Sequence, residues 1–221
     1  MTTLLAVETS GPLCSLAIRA SGRWFEDTQN VERLHNQVVL ANLDALARAA
    51  GVHPRAFDAV AFGAGPGSFT GVRIAAAVAQ GVAFACGARV APISSSRALA
   101  ATAAARHGRC GYLAVTRSRR DAYYLAGYSP DGGNVPEQRL DDRLHQGTFA
   151  PDWLKVDEWV GIGQRPPWWP TRVRFIDDVA VTARVVGELA LHALERGQGL
   201  GPAAALPRYV QGDSPWRPAG T

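Results

Sequence analysis

The chain has 221 residues, of which 47% are hydrophobic and 19% charged, with a formal net charge of +4, and these ordinary globular values exclude a disordered chain. Three cysteines without CxxC spacing argue against a disulfide scaffold or a zinc site and favour the reducing cytoplasm. Apolar runs are interrupted before they reach membrane-spanning length, and the N-terminus lacks the features of a signal peptide, so we expect a cytoplasmic protein without a membrane segment.

The first 30 residues predict a small antiparallel sheet. An apolar run at residues 4–10, LLAVETS, is followed by a Gly-Pro turn and a second strand at residues 13–19. A Ser-Gly turn then leads to a third strand at residues 23–28. Because short turns join antiparallel neighbours, the three strands are expected to form a hairpin sheet.

Residues 31–50 predict a helix that ends at Gly51, a residue suited to a helix C-terminus. Its apolar side chains fall into two stripes rather than one. The first stripe comprises Val39, Leu43, Leu46 and Ala50, and the second comprises Leu34, Val38, Ala41 and Ala45. Two stripes predict burial on two sides of the helix.

A glycine-rich loop separates a strand predicted at residues 57–62 from a helix predicted at residues 71–86. Its motif comprises Gly65, Pro66, Gly67, Ser68, Phe69, Thr70 and Gly71. A strand, such a loop and a helix N-terminus form a common anion-binding arrangement. The loop lacks the lysine of a Walker A motif and the spacing of a dinucleotide fingerprint. The other interpretation is a tight turn in which the backbone itself requires glycine, and both stay open.

The helix at residues 71–86 is apolar around nearly its whole circumference, since Arg73 and Gln80 are its only strongly polar side chains. Such a helix must be buried on nearly all sides. A second protein chain that covers this helix and the preceding one is the simplest explanation, and a central helix buried within the chain is the alternative. The predicted partner contacts are Leu34, Val38, Ala41, Ala45, Arg73, Ala75, Ala76, Ala79, Gln80 and Ala83.

The second part of the chain repeats the layout of the first. The segment that opens with YLAV at residues 112–115 shares its order of strand, polar turn, strand and glycine turn with the N-terminal segment. This echo predicts two related halves, residues 1–106 and residues 107–221. The first half is expected to end with a strand at residues 90–93 and a helix at residues 94–106.

The second half is predicted to be less regular than the first. Ten of the 14 prolines and five of the six tryptophans lie beyond Ser129, and proline disfavours both helices and central strands. One further helix is predicted at residues 177–196. The contacts of the segment rich in proline and tryptophan, residues 151–170, stay open.

Basic residues dominate the middle of the chain. Between Asp58 and Asp121 the sequence has eight arginines and no acid. A solvated basic surface is one interpretation, and contact with RNA or an acidic partner is the other. The candidates for such a contact are Arg97, Arg106 and Arg109.

The residues predict no catalytic site. The five histidines show no i, i+3 or i, i+4 spacing for a metal, and no GxSxG nucleophile motif is present. Glu8, at the end of the first strand, is the one acid placed as sugar kinases and actin-like proteins place theirs. Its equivalent in the second half is Thr116-Arg117, where a cation would oppose a metal ion.

The motif FGAGPGSFTGVRIAAAVAQGVAFA resembles the TsaB (YeaZ) family, and so do LLAVETSGPLCSLAI, LHNQVVLANLDALARAAG and the strand pair at residues 112–128. The resemblance implies an α/β protein of the actin-like (ASKHA, hexokinase–Hsp70-type) fold, built from two ribonuclease-H-like halves of which the second is degenerate. It also implies a role in forming threonylcarbamoyladenosine beside the tRNA anticodon, as a non-catalytic subunit.

Within that system the resemblance implies TsaD, the catalytic paralogue, as the partner in a heterodimer, with the contact formed by helices of the N-terminal halves. It further implies the ATPase TsaE as a second partner and contact with tRNA through the complex. No cofactor is expected for this chain itself, and ADP or ATP is a candidate ligand at the interface with TsaD.

Two other functions stay open at this point, namely a stand-alone nucleotide-dependent transferase of actin-like fold and a homodimeric resting state that uses the same helices. The chain also departs from the family pattern. Arg117 and Ala122 replace acids in the second half, and Gln211 replaces the usual arginine near the C-terminus.

Overall fold

The first 30 residues form the predicted antiparallel strands. The computed structural model describes residues 2–31, 34–119, 121–130 and 135–210. The first three strands are Leu4–Glu8 (β1), Leu13–Ala20 (β2) and Arg23–Asn30 (β3). β1 pairs with β2, and β2 pairs with β3, both antiparallel. Every residue of β1 is buried, because this apolar strand lies in the middle of the sheet.

Two further strands complete the first sheet in parallel with β1. The chain continues through His35–Ala49 (α1), Ala59–Gly63 (β4), Phe69–Cys86 (α2) and Arg89–Ile93 (β5). The strand order is β3-β2-β1-β4-β5. The helices α1 and α2 pack together on one face of this sheet, where their buried side chains share a core with those of β1, β2 and β4.

A second sheet repeats the topology of the first and confirms the internal echo. Its strands are Tyr112–Arg119 (β6), Ala122–Ser129 (β7), Glu137–Gln146 (β8), Val160–Gly163 (β9) and Phe175–Ile176 (β10). The order β8-β7-β6-β9-β10 matches that of the first sheet strand for strand. Both sheets therefore have the β-meander followed by parallel strands that the ribonuclease-H-like halves of an actin-like fold require.

The two remaining helices lie between the sheets. Ser95–His107 (α3) packs on the second sheet through Leu99, Ala100 and Ala103. Ala183–Glu195 (α4) returns to the first sheet, where it contacts β1, β2, β4 and β5. The helix α3, from the first predicted half, therefore packs on the second sheet, and α4, from the second, packs on the first. A division at residue 107 separates the two sheets but leaves each of these helices on the sheet of the other half.

The segment rich in proline and tryptophan covers the outer face of the second sheet. Trp169 is buried, and its Nε1 donates a hydrogen bond to the carbonyl of Val173 at 3.0 Å. Trp168 meets the rings of Tyr123 and His145 edge-on. Among the described residues of this segment the only helical structure is a short 3-10 turn, Val156–Glu158, which leads into β9, whereas the first half has α1 and α2. An aromatic cluster therefore replaces two helices, which is what makes the second half degenerate.

Two predicted helix starts were too early. The first helix begins at His35 rather than at residue 31, and the last begins at Ala183 rather than at residue 177. Residues 177–182 have no regular secondary structure, Thr182 has an extended backbone, and Val179 packs into the core beside α3. β-Branched residues suit such a non-helical segment, so packing prevailed over the acids at residues 177–178 that suggested a cap.

The helix α2 is long and apolar enough to cross a membrane, judged by its 18 residues and mean hydropathy of 1.5. A core helix meets the same criterion, and α2 is fixed to the first sheet by Ala75, Ala79 and Ala83, whose side chains are fully buried. Packing on the sheet therefore accounts for the buried part of this helix, which is 39% of the apolar stretch.

Candidate functional site

The glycine-rich loop packs directly against the residues that follow β1. A Cβ atom added to Gly71 would lie 1.9 Å from the carbonyl oxygen of Thr9, and one added to Gly67 would lie 2.6 Å from that of Ser10. Two hydrogen bonds secure the contact, from Thr9 Oγ1 to the Gly71 carbonyl at 2.7 Å and from the Ser68 amide to the Ser10 carbonyl at 2.7 Å. The motif needs glycine here because two backbone segments touch.

Several amides in and beside the loop donate hydrogen bonds within the chain. The Ala64 amide donates to the carbonyl of Ile93, and the Gly65 amide donates to the hydroxyl of Ser95. Ser68, at the start of α2, accepts a hydrogen bond from the Gly71 amide at 3.3 Å. The close backbone approach at Gly67 and Gly71, together with these pairings, favours the tight-turn interpretation.

Glu8 is a buried carboxyl group at the centre of this contact. Its side chain accepts hydrogen bonds from the Ser10 amide and from Ser95 Oγ, and a Cβ on Gly63 would lie 1.8 Å from its Oε2. Burial raises the pKa of Glu8 above its ordinary value of 4.5, although the hydrogen bonds act in the opposite direction. Glu8 thereby joins the first strand, the glycine loop and the start of α3.

The raised pKa of Glu8 makes a prediction for stability. Since the folded state holds the proton more tightly than the unfolded state, the stabilising contribution of Glu8 is present at acid pH and is lost as the pH rises through its folded-state pKa. Glu8→Gln keeps an acceptor for the Ser10 amide but has no charge to bury. We expect the variant to become more stable relative to the wild type, in free energy of unfolding, as the pH rises above about 4.5, the ordinary pKa of a glutamate side chain. Urea denaturation at a series of pH values measures this difference, and parallel curves for the two proteins would contradict it.

A polar cluster joins the start of α3 to the second sheet. Ser96 donates to Asp142 Oδ1 at 2.7 Å and lies 2.9 Å from the hydroxyl of Tyr128, while Ser94 lies 2.8 Å from Ser96. Burial raises the pKa of Asp142. Gln138 donates to its other oxygen. Sequence analysis missed Asp142 because β8 has only two apolar residues, Leu140 and Leu144, and so lacks the strict alternation that predicts a strand.

The serines at the start of α3 are paired within the chain. The serine hydroxyls at the start of α3 are hydrogen-bonded to one another, to Tyr128 and to the buried carboxyls. In the part of the chain that the structure describes, no three His, Cys, Asp or Glu side chains converge to hold a metal ion.

The outer surface of α1 and α2 leaves large apolar side chains in solvent. We name the surface formed by these exposed residues the α1–α2 face. Its members are Leu34, Leu40, Phe69 and Phe84, with exposed fractions of 50%, 64%, 47% and 62%, and the exposed small residues Ala41, Ala45, Ala77, Gly81 and Ala85. Leu34, Ala41 and Ala45 belong to the second predicted stripe of α1, while Val38 is half-buried against the core.

Four of the six predicted partner contacts on α2 lie on the side of the helix that faces the chain's own sheet. Ala75, Ala76, Ala79 and Ala83 are buried against the chain's own sheet, since small side chains allow the helix to lie close to the strands. Gln80 is half-buried, and its Nε2 lies 3.5 Å from the carbonyl of Pro202. The four alanines are therefore unavailable to a partner, whereas Gln80 and Arg73 are only partly buried.

The three arginines predicted to contact an acidic partner do not form one site. Arg106 and Arg109 are exposed at the C-terminal end of α3 and just beyond it. Arg97 lies in the first turn of α3, about 14 Å away along the helix axis, and its buried Nε has no hydrogen-bond acceptor among the described residues. The structure thus brings together Arg106 and Arg109 but not Arg97.

The residues that depart from the family pattern lie around the β6–β7 hairpin. Arg117 is exposed and its amide donates to Gln164 Oε1 at 2.6 Å, whereas Ala122 is fully buried. Gln211 lies outside the described residues. The hairpin presents no acid at the two departing positions.

Comparisons with known proteins agree with this architecture. The family described as TsaD: tRNA N6-adenosine threonylcarbamoyltransferase matches residues 29–144, just over half of the chain. The tRNA threonylcarbamoyladenosine biosynthesis protein TsaB of Haemophilus influenzae is 37% identical over 124 residues, which cover 56% of this chain but only 52% of that protein. TsaB of Escherichia coli is 27% identical over 169 residues, covering 76% and 73% of the two chains. The structure of YeaZ from Pseudomonas aeruginosa superposes with a TM-score of 0.82 at 33% identity and covers 95% of this chain and 100% of that one.

Proposed function

This chain belongs to the TsaB/YeaZ family, and we propose that it acts in the formation of threonylcarbamoyladenosine in tRNA as a non-catalytic subunit that binds and supports TsaD. The curated relatives carry the name of that biosynthesis, and the matching family is that of the transferase itself. The proposal places the protein in the cytoplasm, with TsaE as a second partner and tRNA reached through the complex.

The observation that carries the proposal is the α1–α2 face. Four large apolar side chains of adjacent helices remain about half exposed or more, although the helices are otherwise packed on the sheet. Large exposed apolar side chains on neighbouring helices are typical of a protein–protein interface. A TsaD subunit bound there would cover it, and a homodimer through the same face would be a resting state.

The surroundings of Glu8 support the non-catalytic part of the proposal. Glu8 and Asp142 accept hydrogen bonds from serine hydroxyls, and the Gly65 and Ser68 amides of the glycine loop are paired within the chain. A transferase needs such groups to be free to meet its substrate. Binding of ADP or ATP at the interface with TsaD stays a prediction.

A reconstituted modification assay tests the proposal. Purified TsaD, its substrates and tRNA are combined with and without this chain, and threonylcarbamoyl transfer to tRNA is measured. We expect no transfer by this chain alone and at least about tenfold more transfer by TsaD when the chain is added, which corresponds to about 1.4 kcal/mol in the barrier. Transfer or nucleotide turnover by the chain alone would favour the stand-alone transferase, and equal rates with and without it would remove the supporting role.

A further inference from the structure

An arginine lies between two exposed aromatic rings at the start of α2. The Arg73 Cζ atom is 3.3 Å from the centroid of the Phe69 ring and 5.0 Å from that of Tyr209. Its Nη1 also donates to the Phe69 carbonyl at 2.8 Å. We name this unit the Phe69–Arg73–Tyr209 stack. Its rings are 47% and 58% exposed, so it holds a cation in place beside two apolar surfaces that face solvent.

Tyr209 reaches the stack because the chain returns from α4 along the first sheet. We name residues 199–210 the C-terminal strap. Leu200 and Val90 exchange two backbone hydrogen bonds of 2.8 and 2.9 Å at the edge of β5. The Ala205 side chain is buried in the core shared with α2, and the Arg208 amide donates to the Ala64 carbonyl at 2.8 Å. The strap is therefore anchored just before Tyr209, which positions the ring in advance of any binding.

The charge around the stack is positive. The first turn of α2 contains no acid, and the helix N-terminus adds its own partial positive charge beside Arg73. In the described ranges, no carboxylate forms an ion pair with Arg73. A negatively charged group of another molecule would find both a fixed guanidinium and a favourable helix dipole here.

We infer that the surface that docks TsaD extends from the α1–α2 face onto the C-terminal strap, where TsaD places a carboxylate on Arg73 and apolar side chains on the rings of Phe69 and Tyr209. This inference rests on the proposed function. The stack is continuous with the α1–α2 face because Phe69 belongs to both. Phe69 and Phe84 lie about 22 Å apart along α2, a length that fits one protein interface.

A second copy of this chain fits the stack less well. The helices α1 and α2 contain one acid, Asp44, which already forms an ion pair of 2.6 Å with Arg48. A symmetric homodimer through these helices would therefore offer Arg73 no carboxylate from either helix that is not already paired. Charge complementarity thus favours a different protein as the occupant.

Titration calorimetry of the full chain with TsaD tests the inference. We expect Arg73→Ala and Tyr209→Ala each to weaken binding about five- to tenfold, as loss of a stacked arginine or aromatic anchor does. The double variant should lose less than the product of the two effects, because both changes remove one unit. Raising the salt concentration from about 0.05 M to about 0.5 M should weaken the wild type more than Arg73→Ala.

Arg184→Ala is the matched control. Arg184 also lies over an aromatic ring, with its Cζ 4.8 Å from the Trp24 centroid, but on α4, against the opposite face of the first sheet. Its affinity for TsaD should stay within about twofold of the wild type, as for surface changes away from an interface. Thermal melts of all variants confirm that each is folded.

The outcomes separate this inference from the proposed function. Binding within about twofold for both stack variants, with binding lost in Phe84→Arg, would remove the strap from the interface and leave the proposed function standing. No binding of TsaD by the wild type would remove both. Weakened self-association with unchanged TsaD binding would assign the stack to a second copy and overturn the inference.

Discussion

Gly71→Ala is expected to destabilise the protein by about 3 kcal/mol, the upper part of the usual range for overpacking. The added methyl group would lie 1.9 Å from the carbonyl oxygen of Thr9, a backbone atom that no rotamer change can move aside. Thr9 Oγ1 also donates to the Gly71 carbonyl, so any separation of the two segments breaks that hydrogen bond. The strain falls where α2 docks on the sheet. Urea denaturation followed by circular dichroism measures the loss.

Gly81→Ala is the control for this prediction. Gly81 belongs to the same helix, and a Cβ atom added there would meet nothing within 4 Å. Helix propensity alone should then raise the free energy of unfolding by about 0.5–1 kcal/mol. A lower free energy of unfolding for Gly71→Ala and a higher one for Gly81→Ala would establish the close approach at Gly71. Equal stability of Gly71→Ala and the wild type would contradict it.

The glycine loop shows how far sequence reasoning reaches. The strand, the loop and the helix were predicted within two residues of their observed bounds. The purpose of the glycines was not decided, because the backbone that requires them, at Thr9 and Ser10, lies about 60 positions earlier in the chain. Spacing within a motif cannot reveal which distant segment touches it, whereas the fold can.

The orientation of α2 illustrates a second limit. Periodicity indicated a helix that is apolar on all sides, which predicted that more than one surface covers it. When every stripe is apolar, the pattern does not say which stripe faces the sheet. Packing decides, and Ala75, Ala79 and Ala83 face inward because they let α2 approach the strands, while Phe84 remains outside.

The second half was harder to predict for a different reason. β6 and β7 were recognised from their apolar runs, but β8 carries charged residues at its exposed positions, and β9 and β10 have only four and two residues. The outer face of this sheet is covered by side chains such as Trp169 rather than by helices. Such a cluster leaves no periodic signal, so only its composition was visible in the sequence.

Phe84→Arg is expected to weaken the binding of TsaD by at least about 30-fold while leaving the chain folded. Phe84 is 62% exposed near the end of α2, so an arginine there can remain in solvent and should change stability by no more than about 0.5 kcal/mol. In a complex that covers the α1–α2 face, the same arginine would be a buried charge without a partner. Loss of an aromatic anchor alone costs about 2 kcal/mol or more, which is about 30-fold in affinity.

Phe149→Arg serves as its counterpart. Phe149 is still more exposed, at 82%, but follows β8 on the second sheet, away from α1 and α2. Calorimetry should find wild-type affinity for Phe149→Arg and little or none for Phe84→Arg, with the modification assay following the same order. If Phe84→Arg binds TsaD as the wild type does, the α1–α2 face is not the docking surface. If both variants lose binding, the effect comes from added positive charge rather than from the position of Phe84, because only one of the two substitutions touches the helical face.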